Sequence, residues 1–347
     1  MSRKLIGTFL IFASLYLAIV YFSFRFFKSN PDLKLAEPAV GTYRGDELIF
    51  LKTFYLVKNG QGYYQSFAQG VAGDTRGIVL TSDTFQWRLP AIFYLWKFTS
   101  IDGYFIFVNF WFLTLVSLIC IYFILKKFIG SRLAFLGPIL VVPYFLDVLF
   151  YKTSFLFTEW WAWFFLTFGL TFFLYQKKKV AFIFFLLSAV TRELMIFPLI
   201  LFFIYSLFLK KDRRFFLAIV TLTLLFFAFH AFNVSLQESI TPASGSSPLT
   251  RLHSFDKQSF LSMISFSMRK YPLVNFKIHY LIVLLAGVSL AVNLARKQTR
   301  EVFYIFIAGF GFLLLLPFVT TSAYNDYWGV LFMSTLILTI PLAFAKK

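Results

Sequence analysis

The chain has 347 residues, 59% of them hydrophobic and only 14% charged, with a mean hydropathy of +0.77 and a formal net charge of +18. Soluble domains carry about 25% charged residues, so this composition excludes an ordinary soluble domain and predicts an all-α polytopic membrane protein. The positive excess falls in short clusters beside apolar runs, where it sets topology and meets anionic lipid, so nucleic acid is not required as a partner.

In chain order, Arg3 and Lys4 precede an apolar span over about 5–21. The following residues (22–27) offer no small-x-small cleavage site, so the span reads as a retained anchor with its N-terminus inside. Residues 28–103 form a large outer loop whose apolar runs (48–57, 78–80 and 89–98) are too short to cross, and amphipathic helices along the interface account for them. The loop also carries Arg44, Asp46, Glu47, Asp74, Arg76, Asp83 and Arg88.

A second span (104–125) ends in the basic turn Lys126, Lys127 and Arg132. A third (133–150) contains Pro138 and Pro143, which predict kinks, and Asp147 near its outer end. The fourth, within 153–175, begins with Thr158 and Glu159, and its Trp160, Trp161 and Trp163 suit an aromatic belt at the membrane interface.

Residues 177–214 are flanked by basic clusters, Lys177–Lys179 and Lys210, Lys211, Arg213 and Arg214. With both clusters inside, the segment enters the membrane and returns. Its halves, 180–190 and 194–209, would rise only about 16 and 24 Å as helices, against a hydrocarbon core of roughly 30 Å. Thr191, Arg192 and Glu193 then sit in a turn at membrane depth, with Thr191 as N-cap of the second short helix. One continuous tilted helix is the alternative. A further span (215–232), an outer loop (233–277) and spans at 279–294, 302–320 and 330–345 bring the total to about ten segments, two of them short, in a single membrane domain over 1–347.

More than half of the 33 Lys and Arg fall in the inner turns and termini, with only Asp212 and Glu301 of the 15 acids. Acids do not determine orientation, so an acid-rich outer face points to chemistry or cation handling there. Cys120 is the single cysteine, and His230, His253 and His279 lack metal-ligand spacing, so they read as packing or interfacial residues.

Three constellations should meet at the outer side: Asp46 and Glu47 with Tyr63, Tyr64 and Arg88; Thr158 and Glu159; and Arg192 and Glu193. Asp326, in the last outer turn, is a fourth contributor. Each has a bland reading: Tyr63, Tyr64 and Phe67 as the buried face of a helix, and Arg192 with Glu193 as a structural ion pair.

The order of these pieces resembles the GT-C superfamily of integral membrane glycosyltransferases. The anchor, the outer loop with its acid and Tyr63–Tyr64, the Arg88–Pro90 step, Thr158–Glu159 and Thr191–Glu193 carry the likeness, which covers roughly 1–215; the spans over 216–347 match only in layout. The resemblance implies a polyprenyl-phosphate sugar donor, an acceptor lipid, glycan or protein, and an extracytoplasmic active face on a plasma (inner) membrane protein with both termini cytoplasmic. Such proteins place an acid just before the tyrosine pair, whereas this chain has Asn59–Gly62 there. The base role therefore passes to Asp46, then Glu47, with Asp74 third.

Inverting transfer needs a carboxylate near the acceptor hydroxyl and cations on the leaving phosphate. Arg192 and Arg88 are the phosphate candidates, while Glu159, Glu193, Tyr63, Tyr64 and Asp326 are supporting or acceptor-binding candidates. The chain has no Asp-x-Asp pair, and a divalent metal is neither required nor excluded by its residues. Two rival readings stand beside this one: a transporter or flippase, since broken helices with buried charge serve transport too, and a non-catalytic relative acting as a membrane partner subunit.

Overall fold

The computed structural model describes residues 3–29, 35–81, 83–146, 153–237, 277–315 and 329–345, together with Lys257 and Phe318. Among these residues the fold is all-helical. Tyr43 and Asp74 form an isolated bridge and no strand is present.

Helix α1 (Arg3–Ser29) leads to three short helices of the first loop: α2 (Asp46–Lys58), α3 (Tyr63–Ala72) and α4 (Ala91–Thr99). The three pack on one another. Leu51, Phe54 and Val57 of α2 and Ile92, Phe93 and Trp96 of α4 are fully buried, so the loop folds as a packed cap on the bundle. The short run 78–80 is not helical, and Val79 is exposed.

Helix α5 (Gly103–Ile129) starts from Asp102, whose side chain accepts from the Phe105 amide as an N-cap, and ends at Lys126 and Lys127. The segment around Pro138 and Pro143 is broken into a 3₁₀ turn, the six-residue α6 (Leu136–Val141) and another 3₁₀ turn ending at Leu146. A proline removes an amide donor and crowds the preceding turn, so the predicted kinks become interruptions. Asp147 lies outside the described residues.

Helix α7 (Thr158–Leu174) is the axis of the bundle, with all but one of its residues buried. This corrects the aromatic-belt expectation. Trp160, Trp161 and Trp163 are each at most 1% exposed. Trp161 donates to the Phe155 carbonyl and Trp163 to the Thr335 hydroxyl, and the Trp160 ring packs tilted against Phe145 at 4.9 Å. An indole with a buried hydrogen-bond partner is a core residue, not an interfacial one.

The broken hairpin is present. Helices α8 (Lys178–Thr191) and α9 (Ile196–Leu209) have 14 residues each, about 21 Å by helical rise. Between them Arg192 is extended (φ −145°, ψ 119°), followed by a 3₁₀ turn, Glu193–Met195. Lys178 at the start of α8 lies 2.5 Å from Asp212 just after α9, so the chain leaves one end of the molecule and returns to it. Thr191 is the last residue of α8 rather than an N-cap; Arg192 precedes the 3₁₀ turn and Met195 precedes α9, neither with a side-chain cap. The continuous-helix alternative is thereby excluded.

Helices α10 (Arg213–Ser235), α11 (Lys277–Ala295), α12 (Val302–Leu315) and α13 (Val330–Thr339) complete the bundle. Among the described residues two helices, α5 and α10, are long and apolar enough to cross a membrane by length and composition. Helix α10 turns a broad apolar face outward: Leu217, Leu222, Leu224, Leu225, Phe229 and Phe232 are all exposed.

The charged turns segregate by end. Lys127 pairs with Glu301 at 2.5 Å, Lys178 with Asp212 at 2.5 Å, and Tyr205 donates to the Arg300 carbonyl at 3.0 Å, so the turns after α5, α7, α9 and α11 meet at one end. The 17 residues of α7 separate that end from Thr158 and Glu159 by about 25 Å.

Candidate functional site at the acidic end

Three carboxylate candidates sit close together at the start of α2, in unequal settings. Gly45 precedes the helix at φ 129°, a left-handed backbone that L side chains rarely adopt, and an added Cβ would lie 2.9 Å from the Glu47 carboxylate. That turn points the Gly45 amide at Asp74 Oδ2 (2.9 Å) and places Asp46 and Glu47 in the first turn of α2, where the helix dipole favours negative charge.

Asp74 is buried and saturated. Arg76 grips it through Nε (2.8 Å) and Nη2 (3.0 Å), and the Arg76 and Gly45 amides add two more donors. Burial alone would raise its pKa, but these hydrogen bonds outweigh it and hold the carboxyl below its ordinary value of 3.8. With its acceptor sites filled, Asp74 is a positioning residue for Arg76, which corrects its candidacy as a base.

Glu47 accepts from Thr153 at 3.3 Å, and burial pushes its carboxyl upward, aided by the neighbouring Asp46 charge. Asp46 is the open member: its side chain is 30% exposed, with Arg76 Nη2 at 2.9 Å and Arg88 Nη2 at 3.6 Å. Arg88 also lies over the Phe50 ring at 5.8 Å, and its carbonyl accepts the Tyr63 hydroxyl. A partly exposed carboxylate between two guanidinium groups is the most accessible chemistry at this end.

Tyr63 and Phe67 form a buried helix face, as their spacing predicts, at 2% and 3% exposure. Tyr64 is only partly buried and reaches across to α10, with its hydroxyl 3.0 Å from His230 Nδ1 and the two rings stacked at 5.6 Å. His230 is buried, in keeping with a packing role.

Beneath this layer lies the ion-pair cluster of the hairpin turn. Arg192 Nε is 2.7 Å from Glu159 Oε1, and its Nη1 is 2.7 Å from Glu193 Oε1. The Arg192 side chain is 0% exposed and that of Glu159 2%. Arg192 is expected from its position to hold the donor phosphate, but a sealed guanidinium already facing two carboxylates has no surface for one, and that assignment is corrected. Arg88 retains a surface, with 14% of its side chain exposed.

The two layers share one end of the molecule. Tyr63 touches Arg88 and lies within electrostatic reach of Glu193. Asp326 lies outside the described residues.

Sequence reasoning missed Arg76 as a partner of Asp46, Thr153 as a partner of Glu47 and His230 as a partner of Tyr64. The Asp-x-Arg spacing of Asp74 and Arg76 was a local signal for a clasp. The other two contacts span 106 and 166 residues and leave no local pattern. Among the described residues no group of three or more His, Cys, Asp or Glu side chains is placed to hold a metal ion. No protein-family model, curated protein or solved structure matches the chain.

Proposed function

We propose that the chain is a polytopic membrane glycosyltransferase of the GT-C kind, moving a sugar from a polyprenyl-phosphate donor to a lipid, glycan or protein acceptor on the extracytoplasmic side. The observation that carries this reading is Asp46, held open between Arg76 and Arg88 at the end of the bundle opposite the basic turns. Segregation of the basic turns to one end supports a membrane orientation with that end inside. The outward apolar face of α10 supports lipid contact, since soluble monomers rarely expose such continuous apolar surface.

In the proposed reaction Asp46 takes the proton of the acceptor hydroxyl as its oxygen bonds to the anomeric carbon. The bond from that carbon to the phosphate oxygen breaks, and its electron pair leaves with the polyprenyl phosphate. Arg88 and Arg76, the neighbours of Asp46, would meet that growing negative charge. The buried Arg192 cluster fixes the hairpin turn under Tyr63 and so positions the arginine layer above it.

The test is transfer of labelled sugar from a polyprenyl-phosphate donor by the purified chain, comparing wild type with Asp46→Asn and Glu47→Gln. Loss in Asp46→Asn supports the assignment, and undiminished transfer in both variants removes it. The hairpin with buried charge also suits a transporter. Substrate flux in proteoliposomes without a covalent product would favour that reading.

A further inference from the structure

At the basic end, a cavity of about 430 Å³ opens between the ends of α7 and α9 and the starts of α10 and α12, lined by Gln176, Lys211, Asp212, Arg300, Glu301 and Tyr304. Its carboxylates are already matched from outside: Asp212 by Lys178 at 2.5 Å and Glu301 by Lys127 at 2.5 Å. Lys211, 3.9 Å from Glu301 with 59% of its side chain exposed, and the exposed Arg300 leave the cavity with surplus positive charge. The N-termini of α10 and α12 add their dipoles.

The second observation lies in the cavity wall. Tyr304 is 2% exposed, and its hydroxyl is a buried donor with no hydrogen-bond partner among the described residues. An unpaired buried hydroxyl costs about 1–3 kcal/mol, a cost that an anionic oxygen in the cavity would relieve. The backbone here is also constrained: Gln176 (φ 60°), Lys210 (φ 52°) and Asp212 (φ 61°) are all left-handed without being glycine.

An apolar groove of about 360 Å³ starts beside this cavity, across the Tyr205 ring, and runs along α9 and α12 past Ile204, Phe208, Phe303, Phe306 and Phe310. Tyr205 joins the two, with its ring 5.1 Å from Tyr304 and 6.4 Å from Phe303.

We propose that the cavity and groove together bind an anionic phospholipid of the inner leaflet, with its phosphate against Lys211, Arg300 and the Tyr304 hydroxyl and an acyl chain in the groove. A soluble phosphate would use the polar half alone; the adjoining groove assigns the site to lipid. Basic pockets between helices at the cytoplasmic face are a recurrent setting for such headgroups. The inference rests on the membrane reading above but not on glycosyl transfer.

The test titrates the full delipidated chain in detergent with phosphatidylglycerol, phosphatidylcholine or inorganic phosphate, with binding read by native mass spectrometry. Phosphatidylglycerol should bind at least about tenfold more tightly than phosphatidylcholine, and Tyr304→Phe should weaken it by about tenfold, the worth of one charge-assisted hydrogen bond. Tyr304→Phe should leave the melting temperature of the delipidated chain unchanged or higher, because the hydroxyl has no protein partner to lose. The surface pair Lys211→Ala and Arg300→Ala should remove the lipid selectivity without touching the core. Equal binding of the two lipids, wild-type affinity in Tyr304→Phe, or phosphate binding as tightly as phosphatidylglycerol would each overturn the proposal. No sugar substrate is present, so a lipid-selective but catalytically inactive chain separates this inference from the glycosyltransferase reading.

Discussion

Replacing Arg192 by methionine would leave Glu159 and Glu193 facing each other without a counter-charge, in a region where the Glu159 and Glu193 side chains are 2% and 11% exposed. Breaking a buried pair from one side costs about 3–5 kcal/mol, because the surviving charge stays desolvated. Two carboxylates depend on this guanidinium, so Arg192→Met belongs in the upper half of that range. Adding Glu159→Gln and Glu193→Gln removes the stranded charges, and the triple variant should return to within about 2 kcal/mol of wild type. The coupling between the sites should then be at least about 2 kcal/mol, well beyond ordinary non-additivity. The assay is thermal unfolding of the purified chain in detergent, where roughly 2 °C per kcal/mol puts the single variant about 8–10 °C below wild type. A single variant that keeps its melting temperature but loses sugar transfer would refute the positioning role and return Arg192 to the donor phosphate. A triple variant that loses the sum of the single effects would refute the electrostatic account.

Other outcomes follow from the upper layer and the bundle. Asp46→Asn should cost transfer at least about 100-fold while changing stability by less than about 1 kcal/mol, since the carboxylate is partly exposed; activity and melting temperature measured on one sample decide this. The Asp74 carboxyl is held below its ordinary value, so its stabilising contribution is full above about pH 4 and is lost as pH falls through the lower folded value. Acid unfolding monitored by fluorescence should therefore be shallower in Asp74→Asn. Glu47 has the opposite sign: its raised folded pKa makes stability greatest below about pH 4.5 and erodes it as pH rises towards the folded value, and Glu47→Gln should remove that erosion. In Gly169→Ala the new Cβ would fall 2.6 Å from the Phe185 ring, so crowding of α7 against α8 should cost about 1–3 kcal/mol, more than the helix-propensity gain of up to ~1, as thermal unfolding would show.

The hairpin at 178–209 was legible in the sequence because paired basic clusters and a hydrophobic length too long for one span leave few solutions. The meeting of Glu159 with Arg192 was legible for a related reason, since both fall at the same end once the spans alternate direction. Trp160, Trp161 and Trp163 are apolar bodies with one donor each, equally suited to a lipid interface or to a core that supplies an acceptor. Only the fold brings the Phe155 carbonyl to Trp161 and the Thr335 hydroxyl to Trp163. Arg192 looked like a phosphate ligand because intramembrane arginine is costly without a purpose, yet two carboxylates sequester it completely. Among Asp46, Glu47 and Asp74, composition offers no ranking; exposure and donor count do. The many phenylalanines also acquire a role, as tilted and edge-to-face contacts such as Phe173–Phe216, between α7 and α10, and Phe185–Phe202, between α8 and α9, lock these helices together.

The central claim is covalent transfer at the acidic end of the bundle. Its most direct test reconstitutes the full chain in sealed vesicles and supplies labelled polyprenyl-phosphate sugar with membrane acceptors. The account predicts a labelled covalent product with wild type, and its loss with Asp46→Asn at unchanged protein stability. Label moved across the bilayer with no covalent product, or a product formed equally by wild type and Asp46→Asn, would contradict it.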